Sequence, residues 1–278
     1  MRRNLPISLL ATALLLAGCT ADDQDGAPPT PSDDRAVGHI HGLGVDPADD
    51  TLYVATHHGL FHVDQSGEPR RVADRWQDTM AFTVAGPGHF LASGHPDLRE
   101  DLPPHLGLIE STDAGETWQP LALQGEADFH ILEQVGDALY AYDATSGRLL
   151  VTQDRKSFDA VAQLPLLSIT EHPAESNTLL GTTNQGQLVE IDPDTGATTQ
   201  LPGPTLVLLD TTPDGDVVGI DPQGTIQVKD AASQTWKQRG EIGGQPAAFI
   251  ITDDRWYAAT QDQVFRSDDD GATWTRTL

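Results

Sequence analysis

Two octapeptides, STDAGETW from Ser111 and SDDDGATW from Ser267, share the pattern S-x-D-x-G-x-T-W and begin 156 residues apart. That interval is four units of 39. Stepping by one unit from Ser111 reaches weakened copies: "TQDRKSF" from Thr152, "IDPDTGATT" from Ile191 and "VKDAASQTW" from Val228. Two strong copies with three degraded ones in phase mark an internal repeat, and a repeat of this length limits the architectures open to the chain.

Each unit also has one strand rhythm. In the fourth it runs "LLSITEHP", "NTLLGTT", "QLVEID" and "TTQLP", four short β-rich runs separated by Gly, Pro, Asn and Asp, with no helix-length periodicity between them. Four strands in about forty residues is the pattern of a propeller blade. Six such units begin near Val37, Asp78, Ala127, Pro165, Pro204 and Gly244. The predicted fold is therefore an all-β, six-bladed propeller of four-stranded antiparallel blades. The second blade is lengthened by an insertion from Ser93 to His105, "SGHPDLREDLPPH", between two of its strands.

The octapeptides resemble the Asp-box (BNR) repeat of sialidase-like and sortilin-like propellers and of photosystem assembly propellers. The resemblance implies that Ser111, Asp113, Gly115 and Trp118, with Ser267, Asp269, Gly271 and Trp274, build turns between outer strands and are architecture. The residue types fit that role. Asp113 and Asp269 are short acceptors suited to a tight turn, and Gly115 and Gly271 supply positive φ.

The N-terminus supplies an address. Residues 1–18 pair Arg2 and Arg3 with a short apolar run, which reads as a signal peptide and is too short for a membrane span. Leu16-Ala17-Gly18-Cys19 resembles the lipobox of bacterial lipoproteins, in which the cysteine is lipidated. Cys19 is the single cysteine, so a disulfide would need a second molecule. Residues 19–36 are rich in Asp, Pro and small polar residues and read as a tether. The propeller then occupies 37–278. The expected location is the extracytoplasmic face of the bacterial cytoplasmic membrane, with the chain lipid-anchored and monomeric. A formal charge of -26 disfavours nucleic acid and attracts cations.

The histidines carry the functional reading. Five of the ten fall between His39 and His62. In the family the resemblance implies, ligands bind over the central channel, on the face shared by loops entering the first strand and joining the second to the third. His39 and His41 open the first strand of blade one, on one side of it by their spacing of two. His57 and His58 form a turn of that blade, His95 and His105 lie in the insertion, and His130 and Met80 fall early on inner strands. Imidazoles with an optional thioether suit copper or zinc better than magnesium or calcium.

The metal candidates are accordingly His39, His41, His57 and His58, with Met80 as a further donor. His95, Arg99, His105 and His130 are candidate ligand-binding residues. The competing reading is that these are separate surface or structural imidazoles, since a one-residue slip would move His39 and His41 into the packing between blades.

Two alternatives remain. The first is a glycosidase-like hydrolase drawing on Asp78, Asp97, Glu100 or Asp101. Sialidase activity itself is disfavoured, because the arginine cluster and N-terminal arginine motif expected of sialidases are missing, and Tyr53, Tyr140 and Tyr257 recur as strand residues. The second is a protein-interaction platform. No glycine-rich phosphate loop, H-E-x-x-H, G-x-S-x-G or CxxC occurs.

Overall fold

The computed structural model describes residues 37–64 and 67–278, and the leader, Cys19 and the tether lie outside them. The described residues form six antiparallel sheets of four strands, each from one contiguous stretch of chain. Blade one holds β1 (Ile40–Asp46), β2 (Thr51–Thr56), β3 (Gly59–Val63) and β4 (Pro69–Arg71). Blade two holds β5 (Asp78–Gly86), β6 (His89–His95), β7 (Leu108–Ser111) and β8 (Gln119–Ala122). Blade three holds β9 (Phe129–Val135), β10 (Ala138–Asp143), β11 (Arg148–Thr152) and β12 (Asp159–Gln163). Blade four holds β13 (Leu166–Glu171), β14 (Leu179–Thr183), β15 (Leu188–Ile191) and β16 (Thr198–Gln200). Blade five holds β17 (Leu208–Thr211), β18 (Val217–Ile220), β19 (Thr225–Lys229) and β20 (Trp236–Glu241). Blade six holds β21 (Ala248–Ile251), β22 (Trp256–Ala259), β23 (Val264–Ser267) and β24 (Thr275–Arg276).

Burial follows position within the blade. Second strands such as LLGTT in β14 and WYAA in β22 are buried throughout, because each is covered on both faces by neighbouring blades. Outer strands such as TTQ in β16 are fully exposed and polar, which keeps the sheet edge soluble.

The interior of the described residues is divided into six hydrophobic clusters, each lying between two adjacent blades. One joins Leu60 and Val72 of blade one to Phe82 and Phe90 of blade two. Another joins Ile40 and Val54 of blade one to Ala248 and Tyr257 of blade six, and closes the ring. A hydrogen bond from Ile40 N to Gln261 O (2.9 Å) ties the same junction. Each fully buried Leu, Ile or Phe contributes roughly 1.5–3 kcal/mol, so blade-to-blade packing is the main stabilising term.

The two octapeptides build the same turn between third and fourth strands. Ser111 Oγ donates to Asp113 Oδ1 (2.8 Å) and accepts from Gly115 N (2.8 Å), while Asp113 accepts from Thr117 N (2.9 Å) and Thr117 Oγ1 (2.6 Å). Ser267, Asp269, Gly271 and Thr273 repeat these bonds at 2.7–2.9 Å. Gly115 has φ +88°, and a Cβ there would lie 2.6 Å from Leu60 of the preceding blade. Trp118 and Trp274 pack into the neighbouring clusters. The weakened copies at 152–158, 191–199 and 228–236 occupy the equivalent turns of blades three, four and five.

The blade-two insertion begins later than expected. β6 continues through His95 because Gly94 and His95 still pair with Thr79 and Asp78 of β5. The irregular loop is residues 96–107.

Candidate metal centre

The inner strands of the first four blades share a local irregularity. In β1 the pairing jumps between Ile40 and Gly42, leaving His41 as an extra residue; in β5 it jumps between Thr79 and Ala81, leaving Met80. In β9 the extra residue is His130 and in β13 it is Leu167. Such β-bulges re-aim a side chain away from ordinary alternation. His41, Met80, His130 and Leu167 all line the axial channel, a cavity of about 370 Å³.

Around His41 the structure gathers a first group. His57, in the turn joining β2 to β3, donates its backbone N–H to His39 O (3.1 Å), which draws the two residues together. The ring centroids of His39 and His41 are 5.0 Å apart, those of His39 and His57 5.3 Å, and those of His41 and His57 4.3 Å. One ring nitrogen from each lies within 4.8 Å of the others. Nitrogens around tetrahedral zinc sit about 3.3 Å apart, so small ring rotations would close this set on an ion.

Two details fix the chemistry of the group. His57 Nδ1 is 2.8 Å from Asp78 Oδ2. A carboxylate there holds the proton on Nδ1 and leaves Nε2 bare, the form that ligates metal. His41 Nε2 is buried without a hydrogen-bond partner and lies 3.8 Å from Asp78 Oδ1. Burial, and then the neighbouring His57, His39, His130 and His95, hold the His41 pKa down at about 3. This imidazole is therefore neutral at ordinary pH.

A second group lies on blades two and three. His95 Nδ1 is 2.8 Å from Pro104 O, which fixes its proton there and turns Nε2 toward Asp128 Oδ1 at 3.9 Å. His105 Nδ1 lies 3.9 Å and His130 Nε2 3.2 Å from Asp128 Oδ2. His95, His105 and Asp128 each offer an atom within 4.8 Å of the others. Asp78 and His95 face each other across β5 and β6, so the two groups adjoin.

The loop over this rim is stiff. Asp97 is buried and accepts from Trp76 N (2.9 Å), Arg99 N (2.9 Å) and Arg99 Nη2 (2.6 Å), while Arg75 pairs with Glu100 at 2.6 Å. The Arg99 guanidinium is the main cause of an Asp97 pKa held down at about 2. Arg99 also reaches Asp74 at 3.1 Å.

The candidates from sequence thus separate. His39, His41 and His57 come together, but His58 does not join them; its ring packs against Trp76 (centroids 5.9 Å) and over Gly38, where a Cβ would lie 2.7 Å from the ring. His95, His105 and His130 meet around Asp128. Arg99 is engaged by Asp97 and Asp74. Of the carboxylates considered for hydrolysis, Asp97 and Glu100 are ion-paired, Asp78 is bonded to His57, and Asp101 is exposed.

Elsewhere, His89 pairs with Glu110 (2.7 Å). His172, beside Glu175 and Glu190, accepts backbone N–H groups of Ala174 and Glu175 through Nδ1.

Sequence reading missed two acids in the channel. Asp210 on β17 accepts from Thr211 N and Ile251 N, both at 2.7 Å, and burial raises its pKa to about 6. Glu133 on β9 is raised well above the usual carboxylate range, by burial first and then by Asp210 and Glu171. Their only sequence signal was an acid on an otherwise β-rich inner strand.

No family model and no curated protein matches the sequence. Solved structures do match its fold. A YCF48 structure bound to a D1 peptide is 18% identical, with 87% of this chain and 81% of that one covered and a TM-score of 0.53. A nidogen/laminin complex is 11% identical, with 81% and 91% covered and a TM-score of 0.63. Streptogramin B lyase is 14% identical, with 87% and 83% covered and a TM-score of 0.58. The chain is a β-propeller.

Proposed function

We propose that this propeller binds a transition-metal ion, copper or zinc, through His39, His41 and His57 at the mouth of its channel. The observation that carries this reading is the buried, unpartnered Nε2 of His41, on a ring whose centroid lies 5.0 Å from that of His39 and 4.3 Å from that of His57. A buried polar atom without a partner costs stability, and a metal bond would remove that cost. Three imidazole donors suit a borderline or soft cation, and Met80 on the same channel wall adds a thioether for copper. Asp78 behind His57 supplies the carboxylate that commonly orients a ligating histidine. The surrounding acidic field favours cation encounter.

The test is thermal unfolding of the untagged protein with copper, zinc, magnesium or calcium. Copper or zinc should raise the melting temperature, magnesium and calcium should not, and His41→Ala should reduce the shift. Absence of any shift in the unaltered protein would refute metal binding.

A protein partner is the second reading. Leu98 is 94% exposed at the tip of a loop that Asp97, Arg99 and Glu100 hold rigid, and an apolar side chain so placed can anchor a peptide. Two of the similar propellers, the YCF48 and nidogen structures, are complexes with a peptide or a protein. A pull-down that persists in a chelator and is lost in Leu98→Asp supports this reading; one that needs metal contradicts it.

Attachment to the outer face of the cytoplasmic membrane through lipidated Cys19 belongs to the same proposal. Its support is the Leu16–Cys19 motif and the single cysteine. Cys19→Ser should release the protein from the membrane fraction.

A further inference from the structure

We infer that His95, His105 and Asp128, with His130 beside them, form a second and separate site for a divalent transition-metal ion, best matched by zinc. This inference extends the proposed reading of the rim but stands on residues that the first site does not use. Asp128 is only 12% exposed, and its Oδ1 is buried with no hydrogen-bond partner. His105 Nδ1 is likewise buried and unpartnered. A carboxylate so enclosed calls for a compensating charge. Among the described residues, the ion pairs to Asp128 come only from His95, His105 and His130, and the His95 and His105 contacts, at 3.9 Å, are too long for hydrogen bonds. A cation seated between Nε2 of His95, Nδ1 of His105 and the carboxylate would satisfy both buried, unpartnered atoms, His105 Nδ1 and Asp128 Oδ1.

The donor set differs from that of the first site. Two imidazoles and a carboxylate bring one negative charge and an oxygen donor, which suits zinc, while the all-imidazole set is neutral and softer. Each site also has its own carboxylate, Asp78 behind the first and Asp128 within the second, so two adjacent ions can be held together despite their mutual repulsion. Backbone contacts place the second set. His105 O accepts from Gly125 N (2.8 Å), and Asp128 O accepts from Ala144 N (2.9 Å).

The probe is zinc alone, added to the untagged full chain, with bound metal counted by calorimetric titration and by metal analysis after desalting. The unaltered protein should bind two ions. His105→Ala and Asp128→Asn should each bind one, His57→Ala should bind one, and the His57→Ala/His105→Ala double variant none. Circular dichroism melts in chelator establish that each variant is folded, and Asp128→Asn keeps the shape of the side chain it replaces.

One ion in the unaltered protein, retained by both His105→Ala and Asp128→Asn, overturns the second site and leaves the first standing. One ion retained by His57→Ala and lost in His105→Ala supports the second site and removes the first. Two ions retained by both second-site variants also overturn this assignment.

Discussion

Nδ1 of His57 on blade one lies 2.8 Å from Oδ2 of Asp78 on blade two, so a carboxylate from one sheet sets the orientation of an imidazole on its neighbour. The contact crosses the blade junction and reaches the histidine group from behind. Asp78→Asn would remove the charge that keeps the proton on Nδ1 while preserving the shape. Zinc or copper affinity at the first site should fall about 10- to 100-fold, the usual cost of losing such a partner. Titration calorimetry checks this, with an unchanged melting temperature in chelator as the control.

The loop above the rim depends on Asp97. Its pKa is lower in the folded protein, about 2 against an ordinary 3.8, so the unfolded chain binds the proton more readily. Its contribution is therefore complete above pH 3.8 and is lost as pH falls through about 2. Asp97→Asn should loosen the loop at neutral pH by on the order of 1–2 kcal/mol, discounted because Arg99 is 55% exposed. Faster amide hydrogen exchange across residues 96–106 is the expected readout. Unchanged exchange would show that Arg99 does not hold the loop.

Asp210 gives the opposite slope. Its pKa is raised from 3.8 to about 6, so the native protein keeps a proton that the unfolded chain has already released. Its contribution to stability falls as pH rises between those values. The difference in urea midpoint between Asp210→Asn and the unaltered protein should shift in favour of the variant across that window. A pH-independent difference would mean that the channel leaves Asp210 freely hydrated.

The octapeptide turns allow a comparison of glycines. Gly115 combines φ +88° with a Cβ position 2.6 Å from Leu60, whereas Gly136 has φ +57° and open space. Gly115→Ala should cost on the order of 1–3 kcal/mol more than Gly136→Ala, because it adds a clash to backbone strain. Denaturant melts of the two variants decide it.

Much of the fold was legible because the repeat is carried by turns. Asp113 and Asp269 advertise a local hydrogen-bond pattern, and its 39-residue phase counts blades without any need to know their packing. The rim was legible only as a tendency. Alternation put His39 and His41 on one side of a strand, but no sequence rule located the bulges that turn His41, Met80 and His130 into the channel, since a bulge is a property of two paired strands. The division into two groups was equally hidden, because it rests on the pairing of Asp78 with His95 and on the approach of Asp128 to the insertion. Asp97 looked like a free carboxylate until Arg99, two residues away, was seen to fold back on it. His58 left the group because its ring found Trp76, an interaction between separate turns that spacing does not encode.

The central claim is that three imidazoles of blade one, His39 and His41 at the start of β1 and His57 in the turn after β2, converge on a metal ion, and crystals of the untagged protein grown with zinc test it most directly. Anomalous scattering at the zinc edge should give a peak about 2.0–2.1 Å from one ring nitrogen each of His39, His41 and His57. A map with no anomalous density among those three rings, from crystals containing zinc in excess, would contradict the account.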